Sequence, residues 1–327
     1  MNVRRLIPTA ALAAAVALGA TALTACSGAN AAGDSGDGKL DVTASFYPMQ
    51  FLAEKIGKDH VKVSTLTKPG VEPHDLEITP KQTGQLAESD VILYLKSLQP
   101  AVDKAVEQSG AKNVVDAATL TTLETHGASG HDGHDHAAEG GGADGGHDHG
   151  DGEAGADPHV WLDPAKYAEI AQGVGAALEK ADPGHAADYK KNTADLVTEL
   201  GALDTEFKEG LKNTATRTFI TTHSAFGYLA ERYGLDQEGI SGVDPESEPS
   251  PARMKDLQAV AAKDKVSTVF FETLASDKTA KTLAKDTGLK TDVLDPLEGI
   301  TDSSQGADYL EVMRSNLKNL QKALGAK

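Results

Sequence analysis

Apolar positions along this chain switch repeatedly between a period of two and a period near four. Leu40-Asp-Val-Thr-Ala-Ser-Phe46 reads as a strand, and Tyr47-Pro48 opens a helix through Ile56. Val61 to Thr67 alternates as a strand should, Pro80 starts a helix to Glu88, and Asp90 to Leu95 has the run of a buried strand. Helix and strand alternate again through Val115. Asp163-Pro164 has the form of a helix start, with Asp as N-cap and Pro in the first turn, and that helix runs to Lys180. Asp182-Pro183 begins another, whose Tyr189, Leu196, Leu200, Leu203, Phe207 and Leu211 fall on one helical stripe. From His185 to Leu211 such a helix rises about 40 Å, enough to pass from one lobe to another. Beyond it the alternation resumes. Strands are expected at Thr218–Thr222, Val266–Phe271 and Thr291–Leu294, and helices at Ser224–Tyr233, Pro249–Lys263, Lys278–Asp286 and Ala307–Leu324.

This βα repetition predicts an α/β fold of two lobes, each a mostly parallel sheet flanked by helices, joined by one long backbone helix. The length of 327 residues accommodates two domains. The expected division is a signal segment 1–25, a tether 26–39, an N-terminal lobe 40–184, a linking helix 185–212 and a C-terminal lobe 213–327. One stretch interrupts the pattern. Between residues 124 and 156 the chain is Gly-, Asp- and His-rich with almost no apolar residues, so it is read as a disordered loop inserted in the first lobe.

The N-terminus changes the picture of compartment. Arg4-Arg5 precedes a short Ala-rich apolar run that has signal-peptide form and is too short for a good membrane span. Leu23-Thr24-Ala25-Cys26 resembles a bacterial lipobox, which makes Cys26 the expected lipidation point and the mature protein extracytoplasmic and membrane-anchored. Cys26 is the single cysteine, so neither a disulfide nor a thiolate metal site is available. The net charge of −18 comes without a basic patch, which argues against nucleic-acid binding.

The candidate chemistry is metal binding. Six of the eleven histidines, His126, His131, His134, His136, His147 and His149, fall in the Gly/Asp-rich stretch and read as weak, exchangeable auxiliary ligands. Three others stand alone at strand ends or helix starts: His74, His159 and His223. Imidazole with carboxylate suits a borderline metal such as zinc. Asp295 and Glu298, after the last strand, are the candidate carboxylates, although Asp295 before Pro296 has an ordinary turn role open to it. No His-Glu-x-x-His, Gly-x-Ser-x-Gly or phosphate loop is present, so no enzyme is expected; a hydrolytic zinc centre remains the catalytic alternative.

Together these residues resemble the zinc/manganese-binding solute-binding lipoproteins of ABC importers, cluster A-I. The resemblance covers nearly the whole mature chain and rests on Ala44-Ser-Phe-Tyr-Pro48, Pro73-His74-Asp75 with Glu77 and Pro80, Asp157-Pro-His-Val-Trp-Leu-Asp-Pro164, His223-Ser-Ala-Phe-Gly-Tyr228, Glu248-Pro-Ser250 and Leu294-Asp-Pro-Leu-Glu298. It implies a metal site in the inter-lobe cleft with His74, His159 and His223 as ligands. Glu298 matches members that use a glutamate as the fourth, with Asp295 or water as alternatives. Manganese members tend to have a carboxylate where His223 stands, so the resemblance implies Zn²⁺, and a His-rich loop is typical of zinc-selective members. It further implies a monomer that hands its ion to an ABC permease with its ATPase. A manganese receptor and a surface adhesin are the alternatives. Leu76-Glu77-Ile78-Thr79-Pro80 departs from the family pattern, which usually has an aromatic and a second proline there.

Overall fold

The description below covers residues 38–126 and 156–327 of a computed structural model. Cys26, His131, His134, His136, His147 and His149 lie outside the described residues.

The first sheet is built from β1 (Leu40–Ala44), β2 (Val61–Thr65), β3 (Val91–Tyr94) and β4 (Val114–Asp116), in the spatial order β2-β1-β3-β4 with every pairing parallel. Its helices are α1 (Tyr47–Gly57), α2 (Pro80–Glu88) and α3 (Pro100–Ser109). Each has proline in its first turn, where the missing N–H costs nothing. Thr79 caps α2 with a full capping box to Gln82. Then come α4 (Pro164–Ala181), capped by Asp163, and the long α5 (Ala186–Gly210). The second sheet holds β5 (Thr218–Thr221), β6 (Asp236–Gly239), β7 (Thr268–Phe271) and β8 (Lys290–Val293), ordered β6-β5-β7-β8 and again wholly parallel. Its helices are α6 (Gly227–Tyr233), α7 (Pro251–Lys263), α8 (Lys278–Thr287) and α9 (Tyr309–Leu324).

Both sheets have the same switch in strand order. The chain leaves β1 and β3 in opposite directions in the first sheet, and β5 and β7 in the second, which opens a crevice beyond the carboxyl ends of those strands. The helix α5 buries Tyr189, Leu196, Leu200, Leu203 and Phe207, five of the six stripe positions, in a core that continues from α1 and α4 to α9. Trp161 is fully buried and ties the lobes together. Its indole N–H donates to Pro296 O at 2.8 Å, Phe46 meets it edge-on at 5.0 Å, and Tyr309 donates to its carbonyl at 2.6 Å.

The structure departs from the sequence expectation in three places. The strand β6 reads Asp-Gln-Glu-Gly and carries no apolar signal; its Gln237 and Glu238 are buried because Thr221, His223 O and Arg253 satisfy them. The helix expected from Ser224 begins only at Gly227, because Ser224 is held on the Ser241 and Gly242 carbonyls. Third, the stretch expected to be unpacked from 124 is packed at its edges. Leu123 lies against the core, Glu124 N donates to Tyr228 Oη at 2.8 Å, and Asp157 N donates to Glu124 O at 2.8 Å. Tyr228 in turn donates to Asp157 O at 2.8 Å, so one buried tyrosine pins both ends of the interrupted segment.

Candidate metal centre

The fold brings His74, His159, His223 and Glu298 together, each offering one ligand atom within 4.8 Å of every other. His74 comes from the loop between β2 and α2, His223 from the end of β5, Glu298 from the loop after β8, and His159 from the turn that precedes α4. Only His74 keeps some solvent exposure; the other three are buried.

Glu298 Oε1 is the hub. The Nε2 atoms of His159, His74 and His223 stand 3.0, 3.3 and 3.4 Å from it. A tetrahedral zinc with bonds of about 2.0–2.1 Å has ligand–ligand edges of about 3.3–3.4 Å, which these separations approach. His159 Nδ1 lies 2.7 Å from Asp157 Oδ1, and His223 Nδ1 lies 2.7 Å from Glu272 Oε1. Both carboxylates accept from Nδ1–H, which leaves each Nε2 facing Glu298: protonated it donates to the glutamate, and deprotonated it offers its lone pair to a metal. His223 Nε2 and Glu298 Oε2 are buried without a hydrogen-bond partner, so both could serve as donors to a cation.

The electrostatics agree. Burial disfavours a charged ring, yet Asp157 and Glu298 around His159, and Glu272 and Glu298 around His223, outweigh it and raise both ring pKa values, that of His223 well above the ordinary histidine value. Burial also pushes the Glu298 carboxyl up, but the three imidazoles reverse this and hold it well below the usual range. Asp157 is likewise penalised by burial and brought down to about 2 by His126 and His159. Glu72, whose Oε1 accepts from His74 N at 2.9 Å, is pushed up to about 9 by its own burial and then by the charge on Glu298. The pocket therefore concentrates negative charge that a divalent cation would offset.

Asp295 takes no part in this cluster. Its carboxylate accepts from Leu297 N at 2.8 Å and from Thr273 Oγ1 at 3.0 Å, the turn role open to an aspartate before proline. That turn places Leu297 at φ +58°, a conformation unusual for a non-glycine residue, immediately before Glu298. Sequence reasoning did not find Glu272 or Glu72. Glu272 directly follows β7 at the switch point, and that position is the one signal that was available. The packed position of His126, against Asp157 and Glu231, also departs from its reading as part of an unpacked tract.

Residues 42–323 match the family model described as ZnuA, zinc-uptake complex component A periplasmic. The chain is 36% identical over 304 residues to the zinc-binding lipoprotein AdcA of Streptococcus pneumoniae, covering 91% of this chain and 58% of that protein. It thus spans little more than half the length of the AdcA relatives. It is 35% identical over 310 residues to the high-affinity zinc uptake system protein ZnuA of Bacillus subtilis, covering 92% of this chain and 93% of that one. The fold is similar to the Zn(II)-bound ZnuA-like domain of S. pneumoniae AdcA, with TM-score 0.70, 32% identity and coverage of 88% and 99%. It is also similar to the laminin binding protein Lmb of Streptococcus agalactiae, described as having adhesin and metal transporting activity, with TM-score 0.74, 30% identity and coverage of 87% and 99%. With its paired parallel sheets, its clustered histidines and a family match that runs almost from end to end, the chain belongs to the ZnuA family of periplasmic zinc-uptake components.

Proposed function

We propose that the chain is an extracytoplasmic, high-affinity zinc receptor that delivers Zn²⁺ to an ABC-type importer, with His74, His159, His223 and Glu298 as the ligands. The observation that carries this is the convergence of three imidazole Nε2 atoms on one buried glutamate oxygen at tetrahedral spacing. Zinc is named by the AdcA and ZnuA relatives, and three nitrogen donors with one carboxylate favour it over manganese, which stands at the weak end of the divalent series. Four protein donors fill a tetrahedral shell, a closed arrangement suited to holding an ion rather than to hydrolysis, which needs an open position. The partner is an ABC permease with its ATPase, and Cys26 is the lipid attachment point of a monomeric receptor. Among the described residues no helix is long and apolar enough to cross a membrane. Glu298 is preferred to Asp295 as the carboxylate ligand because the Asp295 oxygens are committed to the turn. His131, His134, His136, His147 and His149 retain their proposed role as weak auxiliary ligands.

The test is metal content and stoichiometry of protein purified without added metal, followed by competition of zinc against manganese. Tight zinc binding at one equivalent that manganese does not displace is the expected result. Preference for manganese, or turnover of an ester or peptide substrate by the zinc-loaded chain, would overturn the assignment.

A further inference from the structure

The Glu298 carboxylate is aimed differently from the rings it faces. His159 is held from behind by Asp157, and His223 by Glu272. No hydrogen bond of that kind supports Glu298 among the described residues: its Oε2 is buried without a partner, and its Oε1 faces the three imidazoles. Its position is therefore set by the backbone that carries it. We infer that Asn316 is a positioning residue for Glu298, acting through the backbone of Asp295 with Thr273 as a second brace; the inference rests on the ligand assignment proposed above.

Asn316 lies on α9, among buried residues that are otherwise apolar or, at Tyr309, aromatic. A leucine there would continue the stripe. A buried amide is costly unless its polar atoms are engaged. Both groups of Asn316 are engaged by one residue. Its Oδ1 accepts from Asp295 N at 2.9 Å, and its Nδ2 donates to Asp295 O at 2.7 Å. An amide supplies the acceptor and the donor side by side, whereas a carboxylate lacks the donor.

The clamped residue anchors the turn that ends at Glu298. Asp295 Oδ1 accepts from Leu297 N at 2.8 Å and Oδ2 from Thr273 Oγ1 at 3.0 Å, while Trp161 donates to Pro296 O at 2.8 Å. Braces from α9, from the segment after β7 and from the turn before α4 thus converge on residues 295–297. They are needed because Leu297 is held at φ +58°, in the left-handed region that its side chain disfavours. Without the braces Leu297 can relax toward negative φ. That rotation carries Glu298, the next residue, away from the point where the three Nε2 atoms meet. Thr273 directly follows Glu272, so one dipeptide steadies His223 with its first residue and the Glu298 turn with its second.

The experiment is a double-mutant cycle on the full chain, with zinc affinity read by chelator competition and folding by circular dichroism. Asn316→Ala should weaken zinc binding about tenfold, the lower end of the range for groups that orient metal ligands. In a Glu298→Ala background there is no carboxylate left to position, and the same change should stay within the roughly twofold scatter of independent sites. Thr273→Val removes the hydroxyl at nearly constant volume. It should show the same pattern with a smaller first loss, and it carries the test if Asn316→Ala does not fold. A residue that merely stabilised the lobe would weaken binding equally in both backgrounds or lower only the melting temperature. Either result, or wild-type affinity in the folded variants, overturns the inference and leaves the ligand assignment standing. Wild-type affinity in Glu298→Ala itself overturns the ligand assignment and this inference with it.

Discussion

Glu272 supplies the most demanding test of the metal-centre geometry, because it touches no metal and was invisible as a motif. Its Oε1 holds His223 Nδ1 at 2.7 Å, both side chains are almost fully buried, and Thr222 Oγ1 donates to the same oxygen. The bond fixes the ring angle and the tautomer that leaves Nε2 bare. A hydrogen bond to a charged group contributes about 1.5–3 kcal/mol, and a neutral one about 0.5–1.5 kcal/mol. Glu272→Gln keeps an acceptor and loses the charge, so the difference is about 1–1.5 kcal/mol, close to a tenfold loss of zinc affinity. Glu272→Ala removes the acceptor as well, and the loss should approach 100-fold, within the range seen for groups that orient metal ligands. Zinc affinity is to be measured by chelator competition, with circular dichroism confirming that each variant is folded. The graded order Gln before Ala is the signature. Wild-type affinity in the folded Ala variant would refute the claim that Glu272 orients His223.

His74→Ala, His159→Ala and His223→Ala should each weaken zinc binding by more than Glu272→Ala does, since each removes a donor instead of its support; a variant that keeps wild-type affinity in the same competition assay would remove that residue from the shell. Glu298→Gln should lower affinity with folding intact, and Asp295→Asn should do less to binding; the reverse order would transfer the ligand role to Asp295. Zinc affinity should rise with pH through and above the ordinary histidine range and fall in acid. The neighbouring carboxylates raise the ring pKa values of His159 and His223, so metal binding must displace protons from these rings. Calorimetry in buffers of different ionisation enthalpy should report that release, and its absence would contradict the two ring assignments. Replacing residues 127–155 by a short glycine linker should leave the tight site and the metal-free melting temperature nearly unchanged, because Glu124 and Asp157 already meet at 2.8 Å; loss of either would show a structural role for the segment.

Local chemistry carries a large part of this fold. The capped, proline-led helices α2, α4 and α7 depend on side chains within three residues of their own N-termini, so their starts are legible in sequence. The long α5 follows from a stripe of apolar residues that any packing partner would bury. His223 directly after β5 and His159 shortly before α4 sit close to element boundaries, His74 and Glu298 lie within loops, and all four fall inside distinctive motifs, with Asp295 left open beside Glu298. β6 was not recognisable, since its polar residues become strand only when Thr221, Arg253 and the backbone of β5 lie alongside.

What the sequence determined by itself, then, is the alternation of elements, the two-lobed α/β class and the donor types. Periodicity, caps and residue identity are properties of short stretches of chain. The different surroundings of Glu298 and Asp295 arise only in three dimensions, where the Asp295 oxygens close a turn on Leu297 and Thr273 and Glu298 faces three imidazoles. The pairing of His159 and His126 on opposite oxygens of Asp157 was also decided there, as was the support of His223 by Glu272. These contacts join residues between 2 and 224 positions apart, and the partners in a buried polar cluster are set by which loops the sheets bring to the same crevice. Burial then makes each unpaired donor or acceptor costly, so orientation and charge in the cluster are properties of the assembled lobes.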